Sequence, residues 1–327
     1  MGVVASAPAK VILFGEHFVV HGEPALVLAI DKRAYAKAEK REDKKLFIQS
    51  SNLNLAAYFE NDILRIERGN PKEAKIKLEP LKYIAEKILE THGERVGLNI
   101  EVNSTVPVAA GLGSSAAVAA AVAAAVGALL NVKMSREDVF RVAYEAEKLV
   151  HGTPSGVDPA ISTFGGALIF QMDTGFKPLD VKTEIPLVIG NTCVERSTRS
   201  QIEKVRSVKE RYPQVVEPMM RAAREIVLNA VEALKKGSLD TVGELMNINH
   251  ALLYGLGVSD ESLEWLINAA RKAGALGAKL TGAGGGGCMI ALAYKDKIEQ
   301  VLEAVQRAGG NAFIARKTDE GVRIEPS

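Results

Sequence analysis

Only two cysteines, Cys193 and Cys288, occur in 327 residues, too few for a disulfide framework and in keeping with a reducing compartment. The chain also lacks a dominant charge: 41 Lys and Arg face 40 Asp and Glu, a formal net charge of +1. A protein that works on phosphate backbones or anionic lipid carries a large basic excess, so neither is an expected partner. No run is long enough to cross a bilayer. The most apolar stretch, 116–130, contains only Ala, Val, Gly and Leu, but it is shorter than the roughly 20 residues a span requires, and alanine gains little in lipid. It reads as a helix buried on all sides, with side chains small enough to let neighbours approach closely. There is no signal-peptide pattern, fixed-period repeat, low-complexity linker or charged tail. A cytoplasmic globular protein is the expectation.

What is present points to two domains, because the length exceeds the roughly 100–200 residues typical of one. Hydrophobic residues make up 47% and charged residues 25%, enough apolar surface for two cores. Residues 3–14 and 26–37 read as strands, and 81–91 repeats apolar residues at helical spacing up to Gly93. Leu98, Ile100 and Val102 alternate with Asn and Glu as a half-buried strand does. Ser135 and Asp138 form a capping-box pattern that opens a helix through Leu149, and 167–170 is a further strand. After a turn-rich crossing, the second half mixes helical stretches (215–235, 239–253, 261–273) with strands (185–190, 278–280, 288–293, 312–315). This predicts an α+β protein divided near residue 180, into 1–180 and 181–327.

Two glycine-rich segments differ in what flanks them. The first, 107–116, lies between the alternating strand and the alanine-rich helix. Strand, glycine turn and helix amino terminus together form an anion site, because unpaired N–H groups and the positive end of the helix dipole converge. Gly111 and Gly113 let the backbone approach phosphate, and Ser114 and Ser115 carry hydroxyls that donate to phosphate or ligate a magnesium ion. A tight turn with a serine cap is the plainer alternative, and a Walker A loop is excluded because its Lys-Ser/Thr ending is missing. The second, 282–287, contains a formal GxGxxG, yet a strand follows it and no acidic residue ends a second strand about twenty residues on, which excludes a nicotinamide-binding turn. Close backbone approach to a ligand or another loop accounts for it better.

Three charged residues stand out. Lys10 sits inside an apolar strand, where an ammonium is costly unless it meets an anion or snorkels to water. Glu147 lies near a helix carboxyl end, where the dipole disfavours a carboxylate unless a cation compensates; a surface glutamate is the alternative. Asp158 precedes Pro159, which restrains it toward extended backbone and suits either a fixed general base or a simple turn. His17 and His21 stand at i, i+4 as in a zinc helix, but Glu16 precedes rather than follows the first of them, Phe-Val-Val lies between, and Gly22 closes the segment early, which argues against a metal.

The segments 8–22, 107–116 and 279–288 resemble the three motifs of the GHMP kinases, named for galactokinase, homoserine kinase, mevalonate kinase and phosphomevalonate kinase. Within the family, Gly15-Glu16-His17 with His21-Gly22, the run 149–158, and Thr281 followed by the glycine run and Cys288 resemble the members that phosphorylate mevalonate. The resemblance implies an amino-terminal domain like ribosomal protein S5 with a left-handed βαβ unit, a ferredoxin-like carboxy-terminal domain, and an active site in the cleft between them. It implies Asp158 as catalytic base, Lys10 beside the reacting hydroxyl and γ-phosphate, and Ser115 with Glu147 as magnesium ligands. Ala109, Ala110, Gly111, Leu112, Gly113, Ser114 and Ser115 match the ATP phosphate loop, Ser104 a nucleotide contact and Asn52 a base contact. Glu16, His17, Val150, Arg196 and Thr198 match positions lining the mevalonate pocket. The expected ligands are ATP, mevalonate and Mg2+; monomer and homodimer both stay open. Phosphomevalonate as substrate is the alternative, and it would require more cationic groups.

Overall fold

The computed structural model describes residues 2–60, 63–106, 111–151, 155–194 and 197–326. In chain order the elements are β1 (Val3–Phe14), β2 (Ala25–Arg41), β3 (Leu46–Ser50), β4 (Leu55–Glu60), β5 (Ile63–Arg68), α1 (Pro71–Thr91), β6 (Gly97–Ser104), α2 (Ser114–Leu129), α3 (Arg136–His151), α4 (Val157–Phe164), β7 (Ala167–Gln171) and β8 (Gly175–Leu179). The second half adds β9 (Pro186–Asn191), α5 (Thr198–Arg211), α6 (Pro213–Lys236), α7 (Leu239–Gly255), α8 (Glu261–Lys272), β10 (Gly277–Thr281), β11 (Cys288–Leu292), α9 (Ile298–Arg307), β12 (Asn311–Arg316) and β13 (Arg323–Ile324). This is the expected α+β architecture.

The first sheet runs β13-β1-β2-β6-β3-β4-β5, with β7 paired to the start of β2 and β8 to β7. Strands β3 and β6 are parallel, joined by the β4–β5 hairpin and α1, a βαβ crossover. The alanine-rich α2 is buried on nearly every side, packed between β1 and β2 below and α1, α3 and α4 around it. Its alanines put its amino terminus hard against β1. The second sheet, β10-β11-β9-β12, is antiparallel throughout, and numbering its strands in chain order gives 4-1-3-2, the ferredoxin-like arrangement. The inner faces of β9 and β11 (Leu187, Ile189, Ile290, Leu292) join Ala9, Val11 and Leu13 of β1 in one apolar core, so the two halves are packed together.

Two local readings of the sequence change. Helix α1 starts at Pro71 rather than near residue 81, because Asn70 caps it, accepting from the N–H groups of Lys72 and Glu73, with Pro71 at its first position. Pro80 inside it removes one helical hydrogen bond, but the buried stripe Ala74, Leu78, Leu81, Ile84, Ile88 runs straight through and outweighs the loss. Asp158 is not extended: it lies in the first turn of α4, which opens after Gly156 in left-handed conformation, and Pro159 sits within that turn. The Ser135–Asp138 capping box is present in both directions. Gly152, a glycine stop signal just beyond Leu149, lies outside the described residues.

The carboxyl-terminal tail folds back onto the first half. Buried Arg33 donates to Ser6 Oγ at 2.7 Å, to Gly321 O at 2.7 Å and to Glu320 O at 3.3 Å, while Val322 N donates to Thr163 O at the end of α4. Arg33→Met leaves those carbonyls without a donor and should lower stability by about 3 kcal/mol, read as a fall in the urea midpoint. A change under about 0.5 kcal/mol would show that the tail is held by other contacts.

Candidate functional site

The cleft between the halves, about 600 Å³, is where the sequence's charged outliers meet. Its geometry starts from β1. This strand pairs with β2 along its length, while its other edge is free past Ser6, where β13 ends. The free edge is used at two points: Lys10 N donates to Leu112 O at 2.9 Å, tying the strand to the glycine loop, and Thr281 Oγ1 donates to Ile12 O at 2.9 Å and accepts from Ile12 N at 3.2 Å. The loop ahead of α2 is thereby fixed to the strand that carries Lys10.

Gly111 and Gly113 have φ of +73° and +72°, left-handed values that favour glycine, and Gly113 caps α2 with no side chain in the way. A Cβ on Gly113 would lie 2.7 Å from Lys10 Cγ. The first-turn N–H groups of α2 therefore open into the cleft next to the lysine, the arrangement that binds an anion. Ser114 and Ser115 line the same wall, as does Ser104, whose hydroxyl accepts from Val106 N at 3.1 Å. Asn52 donates to Ser104 O at 2.9 Å and fixes that end of β6.

Lys10 Nζ lies 3.2 Å from Asp158 Oδ1, with the lysine side chain 6% exposed and the aspartate 29%. The ion pair joins β1 to the first turn of α4, where the helix dipole also favours a carboxylate. Glu147 stands nearby on α3, its Oε2 buried with no hydrogen-bond partner among the described residues. Burial first, and then the charge of Asp158, push its carboxyl up to about 7, with Lys10 opposing. A carboxylate in that condition suits a cation. Among the described residues no three His, Cys, Asp or Glu side chains converge on a metal. A carboxylate oxygen and the Ser115 hydroxyl are hard oxygen donors, the kind that suit a magnesium ion sharing its shell with phosphates and water.

His17 Nε2 donates to Ala283 O at 2.7 Å from a backbone with φ of +60°, and with Val150 and Thr198 it lines the cleft. Glu16 is in the same wall, but its carboxylate is fully buried against Lys279. Thr198 opens α5, capped by Ser197. Ala109, Ala110 and Arg196 lie outside the described residues. Sequence reasoning missed α5 and the Lys279 partner of Glu16; the signal for the latter was a lysine in an apolar strand, the same one that exposed Lys10. The second glycine run serves loop packing: a Cβ on Gly284, whose φ is +73°, would lie 2.1 Å from Val258 O.

Residues 79–166 match the family described as GHMP kinases N terminal domain, and residues 230–311 match GHMP kinases C terminal. The mevalonate kinase of Pyrococcus horikoshii is 44% identical over 333 residues, covering 99% of this chain and 98% of that protein. That of Aeropyrum pernix is 38% identical, covering 98% of each. A crystal structure of L. major mevalonate kinase in complex with R-mevalonate superposes with a TM-score of 0.83 at 28% identity, covering 97% of this chain and 96% of that one. A Streptococcus pneumoniae phosphomevalonate kinase, at 19% identity, 97% and 99% coverage and a TM-score of 0.74, shares the fold alone.

The raised Glu147 carboxyl has a consequence for the empty protein. Relative to an unfolded value of 4.5, a folded value of about 7 gives stability that is present below 4.5 and lost as pH rises through about 7. Glu147→Gln should therefore unfold at a higher temperature than the parent at about pH 8 and at the same temperature near pH 4.5. An equal offset at both values would mean that Glu147 titrates normally.

Proposed function

We propose how the cleft works from the premise that the chain belongs to the GHMP kinase family, among its mevalonate kinases. The reaction is ATP-dependent phosphorylation of the primary alcohol of mevalonate to 5-phosphomevalonate, on the route to isoprenoids. The observation that carries this reading is the Lys10–Asp158 pair, set 3.2 Å apart at the mouth of the glycine loop.

The residues divide the work by position. The N–H groups of the loop, with Ser114 and Ser115, receive the β- and γ-phosphates, and Ser104 and Asn52 face the rest of the nucleotide. Glu147 and Ser115 would hold Mg2+, which when bound neutralises phosphate charge. Asp158 orients the alcohol and accepts its proton, while Lys10 holds the aspartate and offers its ammonium to the transferring group. Phosphoryl transfer depends mostly on placement and electrostatics, so fixing both groups on β1 and α4 matters as much as basicity. His17, Thr198 and Arg196 anchor the mevalonate carboxylate, with Glu16 and Val150 in the surrounding wall.

Among the described lining residues, Lys10, His17 and Lys77 are the groups able to carry positive charge, and Lys10 is committed to Asp158. A substrate that brought its own phosphate would demand more, which favours mevalonate over phosphomevalonate. On the same reading the domains divide at 180/181, the enzyme works in the cytoplasm, and its assembly is a monomer or a homodimer; no helix among the described residues is long and apolar enough to cross a membrane.

Asp158→Asn keeps size and hydrogen bonding but removes the base, so turnover should fall at least about a hundredfold with MgATP affinity within about twofold. Turnover near the parent's would remove Asp158 from the chemistry. In a coupled assay of ADP release, mevalonate should be the faster acceptor; faster release with phosphomevalonate would overturn the substrate while leaving the kinase assignment intact.

A further inference from the structure

Lys279 and Glu16 form an ion pair whose side chains are both 0% exposed, and Lys279 also donates to Leu280 O at 2.8 Å. It joins the two halves of the molecule. Along β10, Ala278 and Leu280 face the core beneath the second sheet, and Lys279 and Thr281 alternate onto the opposite face, toward β1. Thr281 brackets Ile12, and Lys279 reaches the turn that follows β1. The pair is cut off from water where the two halves meet, with Ile290 opposite Lys279 on the neighbouring strand.

Stability alone does not account for charges there. Two ions taken out of water lose solvation that their mutual attraction only partly returns, and an apolar pair of equal volume holds such an interface as well or better. What the pair does supply is direction. The turn it grips is strained: Gly15 has φ of +98°, and His17 holds φ +60° with ψ −43°, a region costly for a side-chain-bearing residue. Such a backbone persists only when its surroundings over-determine it. Beside the turn's own backbone hydrogen bonds, the second half adds two restraints, Lys279 through the Glu16 carboxylate and the Ala283 carbonyl through His17 Nε2.

We propose that Lys279 is a positioning residue for the acceptor side of the reaction: through Glu16 it holds the Gly15–Glu16–His17 turn so that His17 faces the alcohol-bearing substrate. This rests on the mevalonate kinase reading for the identity of that substrate. Lys279 is not part of the cleft lining, so its effect on substrate must pass through Glu16. The nucleotide side is built on the glycine loop, β6 and α2, and among the described residues no hydrogen bond or ion pair joins Lys279 to them.

The test is a split between the two Michaelis constants. Lys279→Met should raise KM for mevalonate about tenfold or more while KM for MgATP stays within about twofold. An equal rise in both constants, or a parental KM for mevalonate, overturns the proposal. Lys279→Met leaves a buried carboxylate unpaired and should lose thermal stability; Glu16→Gln combined with Lys279→Met removes that charge and should regain much of it. The double variant has lost the latch, so its mevalonate KM stays high, and a return to the parental value overturns the proposal even where the single variant fails to fold. The parent enzyme runs in the same assay. Its failure on mevalonate would refute the substrate, and the KM split would then be read on the alcohol it does accept.

Discussion

A lysine in the middle of a buried strand is the constraint from which the rest of this site follows. Lys10 is almost fully buried in a strand of mostly apolar residues, so its ammonium needs an anion within reach. Asp158 meets that need from α4, and α4 is held in turn by the carboxyl-terminal tail lying across its far end. The backbone of the same strand fixes the glycine loop at Leu112 and the second half at Thr281. Two domains and a loop are thus registered against one strand, within two residues of Lys10. Few other placements would bring a base, a cation and an anion-binding helix terminus together without a mobile linker.

The three charges at the centre do not balance among themselves. One cation, Lys10, is set against two carboxylates, Asp158 and Glu147. The unmatched charge falls on Glu147, whose carboxyl is pushed up to about 7, first by its burial and then by the charge of Asp158. Binding of a dication there would displace a proton and complete the balance.

Much of this was legible because buried charge is conspicuous in an apolar run. Lys10 stood out on that ground, the alanine-rich α2 showed itself by composition, and the capping box of Ser135 and Asp138 by spacing. The failures have equally local causes. Pro80 concealed the first half of α1, because a proline reads as a break when the burial that overrides it is a tertiary fact. Pro159 suggested an extended Asp158, although proline within a helix's first turn gives up no bond, and only the left-handed Gly156 before it reveals which applies. Lys279 had the same sequence signature as Lys10. Its partner lies 263 residues away, and nothing local says which buried lysine faces substrate and which faces another carboxylate.

The two glycine runs show why composition alone misassigns function. Both hold left-handed glycines and both press backbone against a neighbour, yet the neighbours differ in kind. At Gly113 the missing side chain leaves room for the aliphatic stem of Lys10, so the same absence that opens the helix terminus to phosphate also seats the lysine beside it. At Gly284 it leaves room for the carbonyl of Val258, a contact between two loops of the second half. The second run still bears on the site, because the carbonyl of Ala283 within it accepts from His17. On the proposed function, the first glycine loop serves the nucleotide side through the N–H groups at the start of α2, and the second acts on the acceptor side at one remove, through His17.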